Sequence, residues 1–391
     1  MKKWTLQRDS MKKYLLMGLV AICLCIVASA CNSRNDMNYS TRTKFPWVPD
    51  ISAPLNYPVE IKYAYLCYGT EGDRYPVMST YTYDGIGVSK GAVSFEDYEK
   101  EGGLDIPNGI EIVWLSFAES KIYKLHTTFS QNLQNEMLRL FREGFYAKRY
   151  DKHNNYSTLL MTMLPGGKVW LYMNGSGKTV LVCDTLQAEP IEMTLEEFSK
   201  NASNVSNSVK EYSEGNFDKE QIADIKANGI PFELWERYRE RFNYDFKFEF
   251  EDNNSKLDTL YLLYKFINGE LYYPTDEAKV SLLSRPKELY LEWSVGDTKY
   301  KGRFFFNEKE VLEGFSKMYS STKRSQKGTL IVKTSKYNNK FDIYLEIEGN
   351  KYFFKKTKIH VFRITPENKN DDDHLYYWNY EGEDVEQYLG E

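Results

Sequence analysis

Histidine and cysteine are both scarce in this chain, four and five among 391 residues. His126, His153, His360 and His374 show neither H-x-x-x-H nor H-E-x-x-H spacing. A zinc site would therefore have to be assembled from distant positions, and exposed or capping roles are the simpler expectation. Long hydrophobic runs are missing too. The longest, Tyr14 to Val27, is fourteen residues, short of the ~20 that a membrane-spanning helix needs. Nor is there an excess of basic charge. Lys and Arg number 51 against 56 Asp and Glu, a net −5, which removes the electrostatic basis for binding nucleic acid or an anionic lipid surface.

What is present begins with a targeting segment. Met11-Lys12-Lys13 opens a short positive region, the apolar run follows, and Ala28-Ser29-Ala30 leads into Cys31. That order reads as a secretory signal rather than fold. A cysteine directly after the small triplet resembles the bacterial lipoprotein signal, in which that residue is acylated and becomes the first of the mature chain. Ala28 stands where such signals often carry Leu, and a plain cleaved signal is the alternative. Met11 alone supplies a complete signal. Without residues 1–30 the balance becomes 46 Lys and Arg against 55 Asp and Glu, a net −9, so attachment to a membrane would rest on acyl chains. Cys23 and Cys25 would leave with the signal. Cys67 and Cys183 would remain, either as a disulfide or as two buried thiols.

Aromatics make up 16% of the residues, with 32 tyrosines, which favours a strand-rich globular chain. Residues 31–44 are polar without hydrophobic period and read as a tether. A first unit over 45–200 holds alternating Val59, Ile61 and Tyr63, then Ile110, Ile112 and Trp114. A turn at Ala118-Glu119-Ser120 leads to Lys121–Phe129. Ser130 is a candidate N-cap for a helix burying Leu133, Met137, Leu140 and Phe141 and stopping at Gly144. Leu159–Leu164, Val169–Met173 and Thr179–Cys183 read as strands joined by glycine turns.

Residues 201–241 read as a linker, a low-complexity polar run followed by helical segments at Asp218–Ala227 and Pro231–Arg241. From 242 to 391 the pattern restarts. Asn243-Tyr244 echoes Asn56-Tyr57, and Phe246, Phe248 and Phe250 alternate as Val59, Ile61 and Tyr63 do. Leu289, Leu291 and Trp293 follow Ile110, Ile112 and Trp114 at a constant shift of 179. Asn307 with Glu310 caps a helix burying Val311, Phe315 and Met318. The recurring order strand, hairpin, helix, hairpin points to a duplication. The expected fold is α+β: two tandem related domains, each an antiparallel sheet packed on one main helix.

Trp47 with Ser52-Ala53-Pro54, Asn56-Tyr57-Pro58-Val59-Glu60, and Ile106-Pro107-Asn108-Gly109 through Trp114-Leu115-Ser116, with Glu119 and Tyr123, carry a resemblance. This part of the chain resembles an uncharacterised bacterial lipoprotein family, domain of unknown function 2931. The resemblance covers about residues 45–200 and, more weakly, 242–365, where Asp245 replaces Pro58. It implies an exported, lipid-anchored protein and brings no catalytic residues.

No catalytic, cofactor or metal constellation emerges from the motifs. Gly177-Lys178-Thr179 has the ending of a phosphate loop, but Tyr172 stands at its first glycine and a strand, not a helix, follows. A hairpin turn is the expected structure. Asp371-Asp372-Asp373 lacks the glycine and spaced glutamate of a calcium loop. Glu119 and Asp297 occupy equivalent turns and are expected to pair across strands with Lys121 and Lys299. Tyr376-Tyr377-Trp378-Asn379-Tyr380 and Leu271-Tyr272-Tyr273-Pro274 could present rings to a sugar or protein, or fill a half-buried sheet face. The functional expectation is a lipoprotein of the outer membrane facing the periplasm, a binding module with its partner unidentified. It is expected to use no nucleotide, nucleic acid or cofactor. The alternatives are a toxin-neutralising immunity lipoprotein, an envelope polymer hydrolase and a glycan-binding protein.

Overall fold

Alternating β-branched and aromatic residues fit a pleated, half-buried surface, and most of the chain is accordingly sheet. The computed structural model describes residues 39–91, 102–274, 282–320, 326–368, 374–381, 385 and 388–391. The signal segment, Cys31 and Asp371-Asp372-Asp373 lie outside them. Residues up to Arg42 form one unit, in which a single turn of 3-10 helix at Tyr39–Thr41 is described. Thr43–Glu391 form the second, and the rest of the description concerns it.

The first half supplies β1 (Lys44–Phe45), β2 (Val48–Ser52), β3 (Val59–Tyr68), β4 (Asp73–Pro76), β5 (Tyr81–Thr82), β6 (Leu104–Asp105), β7 (Gly109–Ser116) and β8 (Lys121–Thr128). The helix Gln131–Glu143 follows, then β9 (Phe145–Ala147), β10 (Lys152–Asn154), β11 (Tyr156–Leu164), β12 (Lys168–Gly175), β13 (Lys178–Gln187) and β14 (Glu189–Ile191). Five short helices lie between Leu195 and Tyr238. The second half holds β15 (Tyr244–Phe250), β16 (Ser255–Phe266), β17 (Leu271–Tyr272), β18 (Pro286–Val295) and β19 (Thr298–Phe305), then the helix Glu308–Met318. It closes with β20 (Gly328–Thr334), β21 (Phe341–Ile347), β22 (Asn350–Phe353), β23 (Lys358–Ile364) and β24 (Leu375–Trp378).

Both main helices start where capping chemistry dictates. Ser130 Oγ accepts from Leu133 N at 3.3 Å and Asn307 Oδ1 from Glu310 N at 2.9 Å, each satisfying an otherwise orphaned amide. The expected apolar stripes are buried in both helices.

The strand order repeats. In the first half β2 runs beside β11, which continues into β12 and β13, while β14-β8-β7-β3 form a second sheet. In the second half β15 runs beside β20, which continues into β21 and β22, and β23-β19-β18-β16 follow the same order. The expectation of purely antiparallel sheets needs correcting, because β2–β11 and β15–β20 are parallel pairs. Parallel neighbours require long crossovers, so no local pattern announces them. The same topology places β15 where β2 stands, not where β3 stands. Along β3 itself a register shift between Ile61 and Tyr63 moves the buried face to Ala64 and Leu66 and leaves Tyr63 half-buried. A bulge breaks the period of two that the alternation assumed.

Trp114 and Trp293 do occupy equivalent core positions. Each is buried and stacks on its cross-strand tyrosine, Tyr123 and Tyr300 respectively, with ring centroids 5.4 Å apart in both. The other face of β7–β8 is covered by Phe198, at the end of the first unit, and by Phe217 of the segment expected as a linker, which pack on Val113, Leu115 and Ile122. Residues 201–241 carry the expected short helices and pack down as a cover, with Ala202 and Trp235 buried. The halves are joined by backbone. Lys178 and Thr179 of β13 pair with Tyr272 and Leu271 of β17, making one ten-stranded sheet from β2 to β24. One apolar cluster runs through both, from Leu160 and Trp170 to Trp293 and Phe315.

A shared sheet and a shared core predict one cooperative unfolding transition. In urea, tryptophan fluorescence and far-UV circular dichroism should move together, and Trp293→Ala should lower the stability of the whole by about 3–5 kcal/mol. Two separated transitions would show that the halves unfold independently.

Candidate functional site

The helix Gln131–Glu143 ends at Gly144, whose φ of 56° turns the chain back on itself. A substituent there would sit 2.6 Å from Asn154 O and from His153 Nε2, so only glycine lets the β9–β10 hairpin fold this tightly. Between those strands Lys148–Tyr150 make one helical turn and Asp151 reverses direction at φ 48°. The hairpin lies across β16 of the other half. Lys148 Nζ donates to Thr259 Oγ1 at 2.8 Å, and the Arg149 guanidinium stands 5.3 Å from the Tyr261 ring centroid.

Under this hairpin is a cleft of about 240 Å³ at the seam of the two halves. Phe145, Tyr146 and Tyr150 wall it on one side, Tyr272 and Tyr273 on the other, and the turn Ser176-Gly177-Lys178 forms its floor. Arg149 is hydrogen-bonded to Tyr273, which raises its already high pKa. Tyr146 donates to the Asp151 carboxylate. The floor approaches the walls closely. A Cβ on Gly175 would lie 2.9 Å from the Phe145 ring, and one on Gly177, at φ +100°, would lie 3.0 Å from Tyr273.

Lys178 is the unusual member. It is half-buried, with Nζ 5.7 Å from the Phe145 ring centroid. Among the described residues no carboxylate forms an ion pair with it. Glu143, which also lines the cleft, is bound to Arg139. Burial pushes the Lys178 pKa down; Glu143 and Glu270 pull it back up only in part, and Arg139 adds to the depression. A desolvated ammonium facing a cleft without a counter-ion is costly for the fold and suited to an anionic ligand.

A second concavity along the seam holds Glu270, Glu288 and Glu391. All three carboxylates are occupied by cations. Glu270 meets Arg241 at 2.8 Å, Glu288 meets Lys265 and Arg303 at 2.6 Å each, and Glu391 meets Lys287. Burial works to raise the Glu288 pKa, but the two cations outweigh it and hold the group below the usual carboxylate range. It is therefore kept ionised and engaged, unlike the protonated carboxyl that acid catalysis uses.

The other candidate residues are dispersed. Gly177 lies in the two-residue hairpin turn between β12 and β13, and Lys178 and Thr179 open β13, paired with Gly175 and Asn174. His126, His153 and His374 are exposed, and His360 is half-buried with Nδ1 2.8 Å from the Tyr380 hydroxyl. Cys67 and Cys183 are free thiols, half-buried and on different sheets. Glu119 corrects another expectation. Instead of pairing with Lys121 it accepts from Ser116 Oγ, Tyr123 OH and Gly166 N at 2.9, 2.7 and 3.0 Å, because it turns inward over the 165–167 loop. Asp297 stays exposed in its turn. Trp378, the last residue of the outermost strand of the large sheet, stacks at 6.4 Å on Tyr380 just beyond it. The cleft itself was not readable as a unit. Its parts lie at 143–153, 176–178 and 272–273, and the only local signals were the aromatic pair Tyr272-Tyr273 and a lysine in a glycine turn.

Residues 32–233 match the family described as Protein of unknown function (DUF2931), and the chain belongs to that family. No curated protein and no solved structure matches it.

Lys178 gives a pH-dependent prediction. Its folded pKa lies below its unfolded one, so above the folded pKa the unfolded chain binds more protons and stability rises with pH. The cost is fully present below the folded pKa and fades as pH rises through it. Lys178→Met should therefore raise the urea midpoint at pH 7, with the gain shrinking as pH climbs towards the unfolded lysine value of about 10.4. A lower midpoint for the variant at pH 7 would refute this reading.

Proposed function

We propose that this member of the DUF2931 family is a lipid-anchored binding module of the cell envelope, with the seam cleft as its ligand site. Acylated Cys31 would hold it at the outer membrane, facing the periplasm. Ala28-Ser29-Ala30 before Cys31 supports the anchor, and the family match begins at the very next residue. No Asp follows Cys31 directly, and Asp36 is the only acid near it, which favours the periplasmic leaflet. The polar stretch up to Arg42 suits a tether.

The observation that carries the binding role is Lys178, a half-buried ammonium without an ion-pair partner among the described residues, aimed into an aromatic-walled cleft. Folded chains seldom retain such a group for stability alone. We also read the two halves as copies of one ancestral unit. The repeated strand order, the two parallel pairs and the matched Trp–Tyr stacks support this. On that reading function belongs where the copies meet rather than in what they share, and the cleft is built at their junction. A second reading, glycan capture at the sheet edge, draws on Trp378, which is 54% exposed and stacked with Tyr380.

Two measurements test the proposal. In intact cells wild-type protein should incorporate labelled palmitate and Cys31→Ala should not; equal labelling would overturn the anchor. A photo-cross-linking residue at Tyr150 should capture an envelope component that the same residue at Tyr337, an exposed position in the second half, does not. Identical products from both positions, or none, would remove the cleft as the ligand site.

A further inference from the structure

The cleft combines two kinds of wall that seldom occur together without a ligand to match them. One is cationic: Lys148, Arg149 and Lys178 all line it. The other is tyrosine from both halves: Tyr150 from the hairpin, Tyr273 just after β17, and Tyr272, one face of which is already stacked on Phe266 at 5.5 Å. The acids nearest to it are already engaged, Glu143 with Arg139 and Asp151 with Tyr146. Resting on the binding role above, we propose that the cleft takes an acidic saccharide, a sugar ring bearing a carboxylate or a phosphate. The acid group would meet the Lys178 ammonium on the floor and the ring would lie against Tyr272 and Tyr273.

Each part follows from what the residues can do. Lys178 presents three donors and no acceptor, and it has lost much of its water without gaining a counter-ion. An anion restores that balance, and a charge-assisted bond in a partly dry site is among the stronger polar contacts available. Tyrosine faces offer rigid apolar area next to hydroxyls, which suits the face of a pyranose ring with its rim of hydroxyl groups. Gly177 helps to fix the depth, since a Cβ there would lie 3.0 Å from the Tyr273 ring and any side chain would fill the space. A long aliphatic anion fits poorly, since the cleft of about 240 Å³ is smaller than the ~300–1,000 Å³ of sites that enclose drug-sized ligands.

The test uses the full-length lipidated protein in detergent and isothermal titration calorimetry. The probes are glucuronate, glucose 6-phosphate, neutral glucose and inorganic phosphate. At least one sugar acid should bind, about tenfold or more tighter than glucose and than inorganic phosphate. Which acid it is separates the carboxylate from the phosphate source. Lys178→Met should weaken that binding by about tenfold to a hundredfold, the size of one charge-assisted bond, whereas Lys178→Arg should keep most of it. Circular dichroism confirms that both variants are folded. Glucose binding as tightly as its acids would overturn the inference. So would free phosphate binding as tightly as glucose 6-phosphate, an unchanged affinity in Lys178→Met, or no binding of any probe. If the probes fail while the Tyr150 cross-link still captures an envelope component, the acidic-saccharide class is wrong and the binding cleft stands. If both fail, the cleft is not a binding site.

Discussion

Two residue pairs hold this architecture together. Lys178 with Tyr272, and Thr179 with Leu271, turn two separate sets of strands into one sheet. The joint is short, and its surroundings secure it. Tyr273 N donates to Gly177 O at 3.3 Å, Leu181 N to Glu270 Oε1 at 3.1 Å, and the buried Tyr172 hydroxyl to Asn268 O at 2.7 Å. Close by, the backbones of Gly87 and Gly269 touch, and a Cβ on either would fall 2.5–2.6 Å from a carbonyl oxygen. No side chain larger than hydrogen fits such a crossing. Each bond alone contributes only about 1 kcal/mol. Their common effect is to fix register, because a slip of one residue would turn every side chain of β17 to the opposite face.

The C-terminal residues reinforce the joint from the far end of the chain. Asn56 N donates to Glu391 O at 2.7 Å, and Ile86 N to Glu391 Oε2 at 3.1 Å, while Lys287 of the second half pairs with the same carboxylate. Trp235 Nε1 donates to Gly390 O at 3.0 Å and Tyr388 OH to Phe306 O at 2.6 Å. The tail therefore bonds to the first half, the helical cover and the second half together. Arg285 does similar work below it. It is fully buried, donates to Arg237 O and Glu240, and stands 4.5 Å from the Phe242 ring centroid. A buried cation of this kind contributes little net stability but is very costly to leave unpaired. It ties the end of the Glu233–Tyr238 helix to one position on the sheet, which fixes the cover over the seam.

Much of this was legible from the amino-acid order, and what was missed shares one physical cause. Helix caps at Ser130 and Asn307, the glycine turns, the Trp114 and Trp293 core positions and the helical stripes are local signals, set within one or two turns of chain. The β3 bulge is local too, but it breaks the alternation that would reveal its neighbours. The parallel pairs, the cover formed by 201–241 and the joint at Lys178 depend on contacts between residues far apart in the chain. Nothing in a window of ten or fifteen residues carries them. Lys178 shows the difference most clearly. In sequence it is the lysine of an imperfect phosphate motif, correctly read as a hairpin residue. Only the tertiary structure shows that its side chain is half-buried, without an ion pair among the described residues and close to the Phe145 ring.

The sign of the cleft also runs against the sign of the chain, and distance reconciles the two. With a net charge of −5, the protein as a whole should repel an anion. At physiological salt, however, exposed charges are screened beyond about 8 Å, so carboxylates spread over the rest of the surface count for little inside the cleft. What counts there is Lys148, Arg149 and Lys178, set against Glu143, which shares the Arg139 guanidinium with Glu136. Screening is weakest where water is partly excluded, and that is where Lys178 sits. An acidic surface would thus discourage indiscriminate collection of anions at long range, while the proposed site would attract them only at contact. Because that site lies at the joint between the halves, an anion on Lys178 would bear directly on the pairing that makes the sheet continuous.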